Sequence, residues 1–339
     1  MKRSDSSAGY WTRRDLLKSA VALAWAVPAF AQVRGGQRGT AAAPQAGTQL
    51  ILLGTQGGPG VSATRTQASS AVIVDGRTYL VDCGYGALKS AVQAGLTLGA
   101  ISNVFITHLH DDHTADIAAL LALKWTASQT PGEATIYGPF GTTAMVDAAI
   151  AFSKANVEIR KVDEGRTVDP RTIFHGHDLA APKVTEVFKD DRVTVLAVEN
   201  THFPERAKAK MDYRSFAYRF NTATRSIVFS GDTAYSENLI ELARGADVFV
   251  CEVNGTPPAP NAAAPAPNAN GAESIARHVR ETHSTPEDVG KMAAAAKVKT
   301  VVLSHQVGGG RGGNNDPFTA DLKKYFSGEV IVGADQMRL

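Results

Sequence analysis

The chain has 339 residues, of which 44% are hydrophobic and 20% are charged, a composition typical of a soluble globular protein. The formal net charge of +2 gives no indication of the broad basic surface that general nucleic-acid binding requires. The two cysteines, Cys83 and Cys251, form no Cys-x-x-Cys pair, which argues against a thiolate zinc knuckle and a redox dithiol.

The N-terminal segment predicts export. Arg13 and Arg14 precede an apolar stretch over 20–30, which ends in Ala-Phe-Ala at 29–31. So short an apolar run is typical of a signal peptide rather than a membrane span, and the paired arginines resemble a twin-arginine signal. We predict a signal peptide over 1–31, a flexible lead-in over 32–48 and a folded domain over 49–339. A periplasmic or secreted location without a stable membrane span follows, with an uncleaved anchor as the alternative.

Strand-like runs alternate with helical ones along the folded domain. In the first half, strands are predicted at 50–53, 71–74, 78–81 and 103–107, and helices over 86–94 and 114–124. In the second half, strands are predicted at 192–198, 215–220, 226–229, 248–252 and 300–303, and helices over 236–243, 273–281 and 286–296. Two sets of strands covered by helices predict an α/β sandwich.

The segment 256–270 breaks this alternation, because it consists almost entirely of Pro, Ala, Asn and Gly. Such a composition cannot form a packed element, and we predict a mobile loop. The loop is either an inert surface insertion or a lid.

A dense cluster of polar side chains follows the strand at 103–107. His108, His110, Asp112 and His113 lie within six residues, where the strand meets a helix. Neutral imidazoles and carboxylates are the ligands that zinc and similar divalent metals take. Alternation along the extended part places His108 and His110 on one side, and the following turn brings the other two nearby. The cluster therefore predicts a metal site.

Three further candidate ligands follow later strands. His202 comes after 192–198, Asp232 after 226–229 and His305 after 300–303, each beyond an apolar run. Gly231 precedes Asp232 and allows the backbone to approach the site closely. Strand ends hold ligands rigidly, as a metal site requires.

This ordered set of motifs resembles the metallo-β-lactamase superfamily over residues 50–339, and most of all its branch with ribonuclease Z and the zinc-dependent arylsulfatases. The resemblance implies a four-layer αβ/βα sandwich with two zinc ions in the cleft between its sheets. It assigns His108, His110 and His202 to the first zinc. It assigns Asp112, His113 and His305 to the second, with Asp232 as the bridge.

The sequence His283-Ser284-Thr285-Pro286 matches a motif of the same branch. There the histidine is a catalytic proton donor rather than a metal ligand, so the resemblance implies that role for His283. Thr285 before Pro286 is independently typical of a helix N-cap. Hydroxide generated at the two metals would attack the substrate, and Asp112 would orient it and accept its proton. His283 would protonate the departing oxygen.

These inferences together predict an exported dinuclear zinc hydrolase of small anionic esters, either sulfate esters or phosphodiesters. A lactonase or β-lactamase is the alternative reaction class, and a non-catalytic metal- or ligand-binding protein is the alternative of another kind. Ribonuclease Z carries a basic, glycine-rich arm that grips transfer RNA, whereas the segment 256–270 contains no Lys or Arg. We therefore expect no nucleic-acid partner. Relatives are often dimers, so a homodimer is possible.

The remaining candidates have weaker signals. His175 and His177 lack a following Asp-His pair and are interpreted as part of a surface loop, or else of the substrate rim. His278 lies on a predicted helix and is expected to be solvated. Arg65 and Arg311 are candidate rim cations for an anionic substrate.

Overall fold

A computed structural model describes residues 47–255, 269–307 and 317–339 of the chain. The predicted signal peptide, most of the lead-in, the segment 256–268 and Arg311 lie outside these residues. The folded domain begins with a strand whose first residue is Thr48, the last residue of the predicted lead-in.

The first half of the domain forms a six-stranded sheet in which the strands follow chain order. The first three strands pair antiparallel and the last three join in parallel. The hairpin between the second and third strands turns at Asp75 and Gly76. The strands are β1 Thr48–Gly54, β2 Ser69–Val74, β3 Arg77–Val81, β4 Ile101–Phe105, β5 Ala134–Pro139 and β6 Phe174–Leu179.

The second half forms a seven-stranded sheet in which the strands again follow chain order. Here too an antiparallel meander passes into a parallel half. The strands are β7 Thr185–Lys189, β8 Val193–Glu199, β9 Phe216–Thr222, β10 Ser226–Phe229, β11 Val248–Asn254, β12 Thr300–Val307 and β13 Glu329–Val332.

Helices connect the strands and cover the outer faces of the sheets. Side chains of α1, α3 and α4 pack against the first sheet, and side chains of α7, α9 and α10 pack against the second. The helices are α1 Ala87–Gln93, α2 Asp111–Thr114, α3 Ile117–Thr126, α4 Thr142–Phe152, α5 Lys154–Asp163, α6 Glu205–Lys208, α7 Glu237–Ala243, α8 Ala269–Thr282, α9 Pro286–Ala296 and α10 Pro317–Leu322.

The strands of each sheet are buried on both faces, one against the helices and the other against the opposite sheet. In β1, Leu50 and Leu52 point into the apolar layer between the sheets, while Ile51 and Leu53 pack under the helices of the first sheet. Alternation of this kind is expected because successive side chains of a strand point to opposite faces. The order is helices, sheet, sheet, helices, which confirms the predicted four-layer αβ/βα sandwich.

Several elements differ from the predictions. The helix expected over 114–124 is two helices, α2 and α3, and the one expected over 273–281 already begins at Ala269. Eight further elements were not predicted from the sequence: β5, α4, α5, β6, β7, α6, α10 and β13. His175 and His177 lie on β6 and not in a loop. This edge strand was not predicted because its sequence lacks the apolar alternation that is typical of a strand.

The two cysteines are buried and unpaired, and they pack as small apolar residues. Cys83 packs under the helices of the first sheet and Cys251 under those of the second, so the two thiols lie in separate apolar clusters. Within the described ranges, no helix combines the length and apolarity that a membrane crossing requires.

Trp125 anchors the helical layer of the first sheet. Its indole is buried, donates a hydrogen bond to the Val168 carbonyl at 3.1 Å and lies 4.8 Å below the Arg166 guanidinium. We expect Trp125→Ala to lower the free energy of unfolding by about 3–5 kcal/mol, measured by urea denaturation. Leu123→Ala on the exposed face of the same helix is the control, with an expected change within about 0.5 kcal/mol. Equal effects of the two substitutions would contradict this assignment.

Candidate metal centre

The connection from β4 to α2 carries four of the predicted ligands. His108 and His110 lie in the extended part, and Asp112 and His113 lie in the short helix. The Nε2 atom of His108 lies 2.9 Å from the Nδ1 atom of His110. Alternation along the extended backbone therefore brings these two imidazoles together, as predicted.

His202 reaches the same two imidazoles from the second sheet. Its Nε2 atom lies 3.3 Å from Nδ1 of His110. Its Nδ1 atom donates to the Thr282 carbonyl at 3.1 Å, which leaves the Nε2 lone pair free to face the cleft. The side chain of Asn200 fixes the turn, since it accepts from the His202 amide and donates to the Ser230 carbonyl.

Gly231 gives Asp232 its position. Its φ of 58° lies in the left-handed region, and a Cβ there would come within 2.8 Å of the Phe216 carbonyl oxygen and 2.9 Å of Thr107 Cβ. A larger residue at this position would push the end of β10 away from the neighbouring segments at Phe216 and Thr107. The carboxylate of Asp232 is buried between the two halves of the site.

His305 lies within β12 rather than after it, because the strand continues to Val307. Glu252 pairs with Ser304 and Val253 with Gln306, so His305 is the extra residue of a β-bulge. Its φ of 41° is the local distortion that turns the imidazole into the cleft. A bulge was not expected from an otherwise regular apolar strand.

The structure brings all seven predicted ligands into two adjoining groups. The first holds His108, His110 and His202, and the second holds Asp112, His113, Asp232 and His305, with candidate ligand atoms within 4.8 Å of one another in each group. Asp232 lies between the groups: its Oδ1 is 3.3 Å from His113 Nε2, and its Oδ2 is 3.3 Å from His305 Nε2 and 4.0 Å from His108 Nε2. The grouping of these side chains is the one that the resemblance implies, while their metal roles, including that of Asp232 as the bridge, stay predictions.

Two orphaned atoms show that the second group fits a cation. Nδ1 of His113 donates to Asp82, which leaves Nε2 as a lone-pair acceptor in the neutral ring. That acceptor and Oδ1 of Asp232 are both buried without a hydrogen-bond partner. Two facing acceptors repel unless a proton or a metal ion lies between them. A cavity of about 40 Å³, whose lining includes His113, Asp232 and His305, adjoins these atoms.

Electrostatics distinguish the two groups. Burial lowers the pKa of His108 and His110, and it lowers the pKa of His202 to about 3, so these rings are neutral at physiological pH. Neutral imidazole is the state that a metal ligand requires. Burial alone would also lower the pKa of His113, but the carboxylates of Asp232 and Asp82 raise it well above its ordinary value. A proton can thus occupy the place of a cation in the second group.

Asp82, which was not predicted from the sequence as a site residue, hydrogen-bonds to the second group on the side away from the cleft. This buried carboxylate follows β3 in a left-handed conformation with φ 58° and holds His113 Nδ1 at 2.8 Å. It also accepts from the Thr107 amide and hydroxyl. Fixing the outer nitrogen of a ligand in this way sets its tautomer and orientation. Its only sequence signal was an aspartate directly after an apolar strand.

Glu252 was also missed, and it holds His283. This buried carboxylate on β11 accepts from His283 Nδ1 at 2.8 Å. The Thr285 hydroxyl caps α9 in a capping box with Asp288, which confirms the predicted N-cap and fixes the turn that carries His283. Burial would lower the pKa of His283, but Glu252 outweighs it and raises the pKa to about 9. His283 can therefore carry a proton at neutral pH beside the ligand groups.

Glu252→Gln tests this pairing. The substitution removes the negative charge that raises the pKa of His283, while the burial that lowers it remains. Because His283 loses its proton above its pKa, kcat should fall at high pH, and in the variant this fall should begin at a lower pH. A pH–rate profile measured with an ester that has a poor leaving group checks the direction of this shift. An alkaline limb that stays in place would mean that Glu252 does not set the protonation of His283.

One weaker expectation is confirmed and another needs correction. His278 is exposed on α8, as expected, and its ring centroid lies 5.8 Å from that of His202 and 5.5 Å from that of His283. A helical pattern alone could not tell which face of α8 meets the cleft. The Arg65 guanidinium donates to the carbonyl and hydroxyl oxygens of Thr55, so it braces the backbone instead of standing as a free rim cation.

The four-layer sandwich, with its histidine and aspartate groups at strand ends, defines this protein as a metallo-hydrolase of the metallo-β-lactamase fold. The family comparison agrees, since the model described as "Beta-lactamase superfamily domain" matches residues 77–306. The chain belongs to the metallo-β-lactamase superfamily and, within it, to the ribonuclease Z branch.

Individual relatives show how far the similarity extends. Ribonuclease Z of Mycobacterium marinum is 30% identical over 298 residues, which cover 86% of this chain and 98% of the relative. The crystal structure of the metallo-beta-lactamase fold protein YhfI from Bacillus subtilis has a TM-score of 0.61 at 18% identity, over 86% of this chain and 98% of that one. Human tRNase Z, short form, has a TM-score of 0.59 at 21% identity, over the same shares. The two solved structures support the fold alone.

Proposed function

We propose that this protein is an exported hydrolase with two zinc ions that cleaves small anionic esters, either phosphodiesters or sulfate esters. The observation that carries the proposal is the convergence of two ligand groups on Asp232, with the His283–Glu252 pair beside them. His108, His110 and His202 would hold one ion, and Asp112, His113 and His305 the other, with Asp232 shared. Neutral imidazoles and carboxylates are the donors that zinc takes.

Each protein group has a separate task in such a hydrolysis. Bound divalent ions supply Lewis acidity and lower the pKa of water. Asp112 is almost wholly buried and accepts from His305 Nε2 at 3.1 Å. Burial would raise its pKa, but His305 and His113 hold it at about 2, so Asp112 is an ionised acceptor for the proton of the attacking water. His283 gives its proton to the departing oxygen as the bond to phosphorus or sulfur breaks.

RNA processing is the second candidate, and the 30% identity to a protein named ribonuclease Z favours it. The same relationship favours a phosphodiester over a sulfate ester, because RNA strands are joined by phosphodiester bonds. Against a large RNA substrate stand the net charge of only +2 and the predicted signal peptide, since an exported protein would not meet intracellular transfer RNA. Small phosphodiesters accommodate both observations.

Metal analysis and a substrate panel test the proposal. The mature protein should contain about two zinc ions per chain by mass spectrometry. Manganese or iron in their place would change the proposed identity of the metal. The panel contains an aryl phosphodiester, an aryl sulfate, a lactone, a β-lactam and a transfer RNA precursor. Turnover of the phosphodiester or sulfate supports the proposal, preference for the RNA precursor would establish the second candidate, and no bound metal would overturn both. Cell fractionation tests export: a cytoplasmic protein with an intact N-terminus would contradict it.

A further inference from the structure

An apolar cavity adjoins the first ligand group on the side of His110. Its volume is about 440 Å³, within the range of cavities that bind small organic ligands. We call it the His110 pocket. Its lining residues are Leu109, His110, Thr114, Met145, Phe203, Met211 and Tyr213.

The pocket opens directly from the ligand cluster. His110 belongs both to the pocket wall and to the first ligand group. Phe203 connects the two, since its ring centroid lies 5.7 Å from that of His110 and 4.8 Å from that of His202. A molecule whose anionic group sits at the ligand cluster therefore has an apolar cavity next to it.

The chemistry of the wall selects an apolar occupant. His110 is its only titratable ring apart from the Tyr213 phenol, and no Lys, Arg, Asp or Glu lines it. The hydroxyl of Thr114 donates to the His110 carbonyl at 2.9 Å, so it is already engaged. A nucleobase would require several hydrogen-bond partners for its edges, and this wall offers few. An aromatic ring or a branched alkyl group requires none.

The wall is held in place from both sides. Leu109 and Met145 pack against the apolar cluster of the first sheet. On the other side, the Arg214 guanidinium donates to the carbonyl oxygens of Met211 at 2.8 Å and Tyr213 at 2.9 Å, which fixes the loop that carries both. Tyr213 remains 46% exposed at the rim. A pre-formed apolar cavity with an aromatic rim is typical of a binding site for an organic group.

We infer that the His110 pocket binds the apolar group of the substrate, so that the preferred substrates are anionic esters carrying an aryl or branched alkyl substituent. The inference rests on the proposed function for the anionic part and adds the substrate class. It assigns Met145 and Tyr213 as specificity-determining residues for a compact apolar group, in place of the bases of a polynucleotide.

Phosphonate binding tests this without requiring turnover. Isothermal titration of the zinc-loaded protein compares phenylphosphonate, methylphosphonate and uridine monophosphate. We expect phenylphosphonate to bind at least about tenfold more tightly than methylphosphonate, because the ring fills an apolar cavity that the methyl group leaves empty. Met145→Trp fills the cavity from α4 and should reduce that ratio to about one. Leu123→Trp, on an exposed helical face, is the matched control and should keep the wild-type ratio.

A second variant covers the case in which Met145→Trp does not fold. Tyr213→Ala alters only the exposed rim and should reduce the ratio several-fold, with circular dichroism as the check on folding. Equal binding of the two phosphonates, tighter binding of the nucleotide or no binding at all would each overturn the inference. A phenyl preference in a protein that hydrolyses no ester would overturn the proposed function and leave the pocket supported.

Discussion

His283→Ala is expected to lower kcat for an ester with a poor leaving group by about 10²–10⁴-fold, the usual contribution of a positioned general acid. His283 is 9% exposed at its side chain, and Glu252 raises its pKa to about 9, so it is protonated at neutral pH. His283 also belongs to a third group, with Asp232, Glu252 and His305, whose candidate ligand atoms lie within 4.8 Å of one another. Removal of a proton donor should leave the metal content unchanged, whereas removal of a metal ligand should lower it. Measurement of kcat together with zinc content therefore separates proton donation from metal binding.

The leaving group provides the sharper readout. A nitrophenolate departs without protonation, so His283→Ala should matter far less for a nitrophenyl ester than for an alkyl ester of the same acid. His175→Ala is the matched control, since His175 is exposed on the edge strand β6, and its kcat should equal that of wild type. An equal loss for both leaving groups, or a loss of zinc in the variant, would reject the role of His283 as a proton donor.

The sequence predicted the ligands well because their signal is local. Each of His202, Asp232 and His305 follows or lies near the end of an apolar run. The strands β8, β10 and β12 run in the same direction, so their carboxyl ends lie at one edge of the sheet. The metal role of these residues stays a prediction, whereas their convergence is now observed. Alternating apolar strands and helices predicted an α/β sandwich, and the resemblance to a known superfamily implied its four layers.

The supporting residues could not be predicted in the same way. Asp82 and Glu252 act through partners 31 residues away along the chain, so only the folded structure brings each carboxylate to its imidazole. The bulge at His305 depends on the register of β11 against β12, which apolar patterns do not specify. For the same reason, the position of His278 at the cleft required the packing angle of α8.

Asp232→Asn is expected to have the largest effect of any single substitution in the site. The carboxylate is buried, lies within 4.0 Å of nitrogen atoms in both ligand groups and faces the orphaned Nε2 of His113. Asparagine keeps the shape but removes the charge that offsets the positive charge of nearby cations. We expect metal content to fall from two ions to one or none, and kcat to fall by more than the about 10²–10³-fold typical of losing one electrostatic group.

Asp82→Asn is the comparison for Asp232→Asn, because it removes a carboxylate that contacts His113 without belonging to either ligand group. Asp82 touches His113 only at the outer nitrogen, so its loss should cost about 10–100-fold in metal affinity, as is usual for a residue that orients a ligand. Chelator competition and metal content measure both variants, and Asp147→Asn on the exposed face of α4 controls for surface charge. If Asp232→Asn retained two ions and lost no more affinity than Asp82→Asn, Asp232 would be a support rather than a bridge. The two metal sites would then be independent, and loading one would not change the affinity of the other.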